Sequence, residues 1–395
     1  MKNKGRRRKC SSYWAKILAV VFLLSTIAGA GFAAGCFGSN DESPLTAQEV
    51  SKNNELTLEE KTEKILSGMS QAEKVGQLIM IGVHGTTMND DIAYMLQEFH
   101  IGGVILFDRN MESQEQVKEL NRQLQEQVAS GLPLFIAVDE EGGLVARMKD
   151  KLPPPPAQRD VAMSGNSEEA KILAARTASS LKNIGFNVNF APVADVGMDS
   201  AHRMYSDDAD VVTKFVESAV QGYQSENMLC SLKHFPGIGK GDADSHHGFV
   251  NVSAAKDTLE AEDIKPFKYM IDNVDNDSYM VMVTHVTYSA LDGNQPASMS
   301  PVIMKELLRN QLGYKGLIIT DDMDMGAIAN YYDYAQVGID AIKAGADIVM
   351  VCHEYDHEIA VYNGILQAVQ NGNISQEQLD DSVRKVIRAK LLHLV

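Results

Sequence analysis

The segment Lys233–Gly248 concentrates residues that can move protons. Its sixteen positions hold four glycines, three histidines, two aspartates and two lysines. Glycine is costly in regular structure and charges resist burial, so this composition argues against a helix or a core strand. It reads as a loop hung on the end of the preceding apolar run, where catalytic groups commonly sit. Asp244 and His246 suit a carboxylate that orients an imidazole, which is a general acid/base unit. A zinc site built from Asp242, Asp244, His246 and His247 is the second choice, with His353-Glu354-Tyr355-Asp356-His357 as the other dense cluster. Charged tracts of the latter kind are usually exposed surface, and no metal is expected.

Other chemistry-bearing residues also follow apolar runs. Asp321-Asp322 comes directly after Gly316–Thr320, and an acidic pair there either opens onto a cleft or starts a helix. Asp139-Glu140-Glu141-Gly142-Gly143 with Arg147 offers carboxylate and guanidinium groups for hydroxyls or a carbonyl, or else a salt-bridged turn. His285 reads as a satisfied core histidine. Arg203 carries no local signal of its own.

The elements that must position these groups come in eight apolar runs: 78–83, 103–107, 134–139, 187–193, 229–233, 279–284, 317–320 and 347–351. Continuous apolar character indicates strands buried on both faces, hence a parallel sheet. Helical patterns fill the gaps, at 113–129, 168–184, 210–224, 300–312 and 332–344, with Gly185, Asn227, Gly313 and Gly345 as stops. Helices near 359–370 and 375–392 would close the ring. The expected fold class is therefore α/β, a single TIM-type (β/α)8 barrel, with the polar motifs gathered at the C-terminal ends of its strands.

The chain has 395 residues, 36 basic and 53 acidic, with a net charge of −17. Seven of the basic residues precede position 17, leaving 29 against 53 in the rest. Such an acidic surface repels nucleic acid. Residues 1–37 read as a signal peptide or membrane anchor: a basic stretch to Lys16, an apolar run Ile17–Phe37, and small residues Ala33-Ala34-Gly35 before Cys36, as at a lipoprotein cleavage site. Residues 38–56 read as a polar linker and 57–395 as the catalytic domain. An extracytoplasmic location in the cell envelope, membrane-anchored or secreted, follows from the positive flank. Cys230 and Cys352 sit in apolar runs and read as buried hydrophobes without a disulfide framework. The nineteen methionines read as core filling.

Taken together and in order, several stretches resemble glycoside hydrolase family 3, specifically its single-domain bacterial β-N-acetylglucosaminidases. They are Gly102–Phe107 with Arg109-Asn110, Asp139–Arg147, Asn189–Asp195, Lys233–Gly237, Asp244-Ser245-His246, Pro296–Ser298 and Ile319–Met323. The resemblance implies a retaining mechanism with Asp321 as nucleophile and His246, paired with Asp244, as acid/base. It also implies that Asp139, Arg147, Arg203, Lys233 and His234 bind the N-acetylglucosamine ring. Relatives with a second domain take a glutamate from it, so here the acid is expected from the barrel itself. Leu144, Ile238 and Met204 depart from the usual pattern, which bears on fine substrate preference. The expected partner is a glycan, with no cofactor, and the expected state is a monomer. A phosphorylase, or a β-glucosidase or β-xylosidase, is the alternative on the same site.

Overall fold

The computed structural model of the chain describes residues 56–128, 131–241 and 250–395. The expected targeting segment, most of the linker, and Asp242, Asp244, His246 and His247 lie outside them. Among the described residues no helix is long and apolar enough to cross a membrane.

Eight parallel strands close into one barrel: β1 Ile79–Gly82, β2 Gly103–Ile105, β3 Phe135–Val138, β4 Val188–Asn189, β5 Leu229–Phe235, β6 Tyr279–Val283, β7 Ile318–Asp322 and β8 Ile348–Val351. Each pairs with its neighbours in chain order, and β1 closes the ring against β8 through Ile79↔Val349 and Ile81↔Val351. These are the eight runs read from the sequence. Their residues, Val104, Ile136, Val138, Val281, Ile319 and Val349 among them, are almost wholly buried. Each such side chain contributes about 1.5–3 kcal/mol when withdrawn from water. Met80, Met280, Met282 and Met350 fill the same interior.

The helices lie outside the ring, and many begin where a side chain caps them. They include α1 (Leu58–Gly68), α2 (Gln71–Gln77), α3 (Asp90–Glu98), α4 (Gln114–Glu126), α5 (Ser167–Asn183), α6 (Ala209–Ser225), α7 (Lys265–Asn273), α8 (Tyr334–Ala344), α9 (Tyr355–Gln370) and α10 (Gln376–His393). Thr57 with Glu60 and Ser70 with Glu73 form capping boxes, while Ser113, Asp333 and Ser375 accept single amide bonds. At the far end of α8, Gly345 takes a left-handed φ of 118° that a Cβ would oppose.

Two differences from the sequence reading concern the strands that carry the site. β5 runs through Lys233, His234 and Phe235, so the polar segment begins inside a fully buried strand and not after it. Burial of Lys233 and His234 is possible because each meets a charged partner, described below. β4 is only Val188–Asn189, shorter than the apolar run, because Pro192 has no N–H to continue the ladder. Two short ribbons rise above the barrel. One is the antiparallel pair Glu140–Gly142 and Val145–Ala146, and the other is the parallel pair Asn251–Val252 and Thr287–Tyr288.

Candidate active site

The C-terminal ends of β3, β5 and β7 bring the expected residues to one mouth. Extended backbone alternates its side chains, so Asp139 and Glu141 share one side after β3 and Glu140 takes the other. Lys233, at the end of β5, donates through Nζ to Asp139 Oδ1 and Glu141 Oε1, both at 2.7 Å. Arg203, on the long loop after β4, grips Glu141 with two bonds of 2.8 Å, from Nε to Oε2 and from Nη2 to Oε1. Arg147, just after the return strand of the ribbon, stands 3.7 Å from Asp139 and 3.8 Å from Asp108. Burial opposes the charge on Glu141, but Lys233 and then Arg203 outweigh it and hold the carboxyl well below the ordinary range. Lys233 is likewise desolvated, yet Asp139 and Glu141 push its ammonium pKa up.

His234 is fixed from behind. Its Nδ1 lies 2.7 Å from Asp195 Oδ2, and its own amide donates to Asp195 Oδ1 at 3.1 Å. Asp195 also accepts the Ile238 amide at 3.0 Å, so one fully buried carboxylate sets both the imidazole and the backbone that follows. The peptide between Lys233 and His234 is cis.

Asp321 is the last residue but one of β7, half-buried, with Oδ1 accepting the Asp322 amide at 2.9 Å. Burial works against its ionised form. His234 first, then His285, the Asp322 amide and Lys233 more than compensate and lower its pKa below that of a free aspartate. His285 is a satisfied core histidine, as expected, with Nδ1 2.7 Å from Ser298 Oγ and Nε2 2.8 Å from the Asp322 carbonyl oxygen. Asp322 turns the other way and pairs with His353 Nε2 at 3.1 Å. The tract 353–357 is thus more than a solvated face: His353 meets Asp322, and His357 Nδ1 lies 2.6 Å from Asp324 Oδ1. Arg109, stacked over Phe107, donates to the Cys352 carbonyl oxygen at 2.6 Å and lies beside His353.

Asp139, Arg147, Arg203, Lys233, His234 and Asp321 therefore share one mouth. Asp244 and His246 lie outside the described residues. By sequence, Glu141 stands only within the Asp139–Gly143 motif and Asp195 only within the stretch Asn189–Asp195, and neither is singled out as a site residue. The period-2 alternation after β3 could have shown Glu141, since it must face the side that Asp139 faces. Asp195 had no local signal, because its partner lies 39 positions away. Among the described residues no group of three His, Cys, Asp or Glu side chains is placed to hold a metal ion.

Residues 70–389 match the model of the glycosyl hydrolase family 3 N-terminal domain. The chain belongs to this family. The family assignment agrees with curated relatives. A β-hexosaminidase A from Pseudoalteromonas piscicida is 31% identical over 347 residues, covering 77% of this chain and 56% of the relative. A β-hexosaminidase from Idiomarina loihiensis is 32% identical over 299 residues, 74% of this chain and 88% of the relative. The chain thus spans little more than half of the first and most of the second. Among solved structures, a glycoside hydrolase family 3 β-N-acetylglucosaminidase from Paenibacillus sp. str. FPU-7 superposes with a TM-score of 0.78 at 34% identity, covering 82% of this chain and 63% of that one. The barrel is thus that of a family 3 glycoside hydrolase domain.

Proposed function

We propose that the chain is a retaining exo-β-N-acetylglucosaminidase that releases terminal N-acetylglucosamine from peptidoglycan fragments or related glycans. One observation carries this reading. Asp321 is a half-buried carboxylate whose pKa is lowered, by His234 above all, in a mouth ringed by hydrogen-bonding charges that suit a sugar's hydroxyl groups. The relatives' names supply the choice of sugar.

In the proposed reaction Asp321 attacks the anomeric carbon as the bond to the leaving oxygen breaks, giving a glycosyl-enzyme. His246, oriented by Asp244, gives its proton to the departing oxygen. It then takes one from water, which attacks the same carbon and frees Asp321. An imidazole suits both halves because it titrates near neutral pH without deep burial. Asp139, Arg147, Arg203, Lys233 and His234 hold the ring, with Glu141 and Asp195 fixing three of them. We also propose that the N-terminal segment carries the domain out of the cytoplasm and tethers it there, which mass spectrometry of the mature N-terminus would test.

A panel of chromogenic glycosides tests the substrate. Turnover of the β-N-acetylglucosaminide is expected, and turnover of the β-glucoside or β-xyloside in its place would overturn the assignment. Phosphate-dependent release of a sugar 1-phosphate would make the enzyme a phosphorylase instead. Asp321→Ala should abolish turnover, and mass spectrometry with a slow fluorosugar substrate should find the sugar on Asp321.

A further inference from the structure

We propose that His353 is a positioning residue for Asp321, acting through Asp322, an inference that rests on the nucleophile reading given above. His353 follows β8 and Asp322 ends β7, so the two stand on neighbouring strand ends of the barrel. The imidazole makes two bonds whose partners fix its tautomer. Arg109 Nη1 lies 3.0 Å from Nδ1, and a guanidinium can only donate, so Nδ1 accepts. The proton of the neutral ring is then on Nε2, 3.1 Å from Asp322 Oδ2, and is donated to that carboxylate. Asp322 is buried, and its own amide donates to Asp321 Oδ1 at 2.9 Å. An unbroken path therefore runs from Arg109 through His353 and Asp322 to the carboxylate proposed to attack the sugar.

Each member of this path is also held from a second side. Arg109 stacks 4.6 Å over the Phe107 ring, and its Nη2 donates to the Cys352 carbonyl oxygen at 2.6 Å. That approach needs a glycine in β1: a Cβ on Gly82 would lie 1.9 Å from the same carbonyl oxygen and 2.9 Å from Arg109 Nη2. The His353 ring sits 5.4 Å from Phe107, tilted by 32°, and the His353 amide donates to Asp324 Oδ2 at 2.7 Å. Asp324 returns the contact, since its own amide donates to Asp322 Oδ1 at 3.0 Å. That last bond lies within the turn after β7 and moves with it. Two bonds reach Asp322 from other strands: His285, after β6, holds its carbonyl oxygen at 2.8 Å, and His353 holds its carboxylate. With one of the two removed, the residue is free to turn about the other, and its amide turns with it. Among the described residues His353 makes no hydrogen bond or ion pair with Asp139, Arg147, Arg203, Lys233 or His234. Its loss should therefore slow attack by Asp321 and spare binding of the ring.

The test labels the full chain with a slow substrate, 5-fluoro-N-acetyl-β-glucosaminyl fluoride. In the labelling step a carboxylate oxygen of Asp321 bonds to the anomeric carbon while the carbon–fluorine bond breaks, and fluoride departs with the bonding electrons. Fluoride needs little protonation, so the labelling rate reports on the nucleophile apart from the acid/base. Mass spectrometry of the peptide that contains Asp321 gives this rate and its dependence on probe concentration. His353→Ala should lower the saturating rate about 10- to 100-fold, the scale on which a misplaced catalytic group costs rate. The concentration that gives half of that rate should stay near the wild-type value. His353→Gln, which offers an acceptor to Arg109 and an N–H to Asp322, should restore most of the loss. A wild-type rate in His353→Ala, a change confined to the half-saturating concentration, or no rescue by His353→Gln would overturn the inference. Should His353→Ala fail to fold, His353→Phe, which keeps a ring beside Phe107 without either nitrogen, is measured against the same outcomes. Labelling of the wild-type chain at a residue other than Asp321 would remove the nucleophile reading itself. Labelling on Asp321 at equal rates in wild type and His353→Ala removes only the role of His353.

Discussion

Glu141 is the side chain on which the charges proposed to bind the sugar ring depend, since it is shared by Lys233 and Arg203 and almost fully buried. Replacing it with glutamine leaves Arg203 without a counter-charge and Lys233 with Asp139 alone. Breaking a buried pair from one side costs about 3–5 kcal/mol, and Glu141→Gln should destabilise the domain on that scale while raising KM. Denaturant unfolding together with steady-state kinetics would check this, and unaltered stability would mean that Glu141 contributes little. Asp321 gives a second expectation at this scale. Its lowered pKa keeps it anionic through the neutral range, so it stays charged above its folded pKa and loses charge only as the pH falls through it. The acid limb of kcat/KM due to Asp321 should therefore lie below the ordinary aspartate value of about 3.9. A limb near neutrality that persists in Asp244→Asn and His246→Ala would contradict the assignment.

The strands were legible in the sequence because burial on both faces leaves an unbroken apolar run, a signal that local reading detects. All eight runs are strands. The charged end of β5 was not legible, since Lys233 and His234 are tolerable in a strand only by virtue of Asp139, Glu141 and Asp195, 94, 92 and 39 positions away. The same blindness hid the carboxylate of α9. Glu358 is 1% exposed, and burial first, then Asp324 and Asp322, raise its pKa to about 9. With a folded pKa above the unfolded one, the native state binds the extra proton, so stability falls as the pH rises from about 4.5 towards 9. The slope is at most about 1.4 kcal/mol per pH unit. Glu358→Gln carries no titrating proton, and its unfolding free energy should decline less steeply than wild type over that window. Parallel slopes in urea titrations at pH 5, 7 and 8.5 would show that Glu358 already ionises in the native state.

Across the whole molecule the two ends of the barrel divide the work: the mouth gathers the chemistry, and the opposite end holds the strands together. Asp347, just before β8, is the focus of that lower end. It is 1% exposed and accepts from Arg309, from Lys385 at 3.1 Å, from Ser382 Oγ at 3.0 Å and from the Ile318 amide at 2.9 Å. It thereby ties β7, β8, α10 and the helical segment Val302–Gln311 to one carboxylate. Arg309 and Lys385 overcome the cost of burial and lower its pKa. Its stabilising contribution is thus present above the unfolded aspartate pKa and lost as the pH falls through the lower folded value. Asp347→Asn keeps the shape but leaves two cations facing a neutral amide, with an expected cost of about 3–5 kcal/mol. No described side chain of the mouth touches this network, and the end of such barrels opposite the active site serves stability. Asp347→Asn should therefore lower the Tm by several degrees while kcat, measured well below the new Tm, stays at the wild-type value. A loss of kcat with Tm preserved would mean that the lower end is coupled to the chemistry through the strands. That outcome would overturn the division of labour assigned to the two faces.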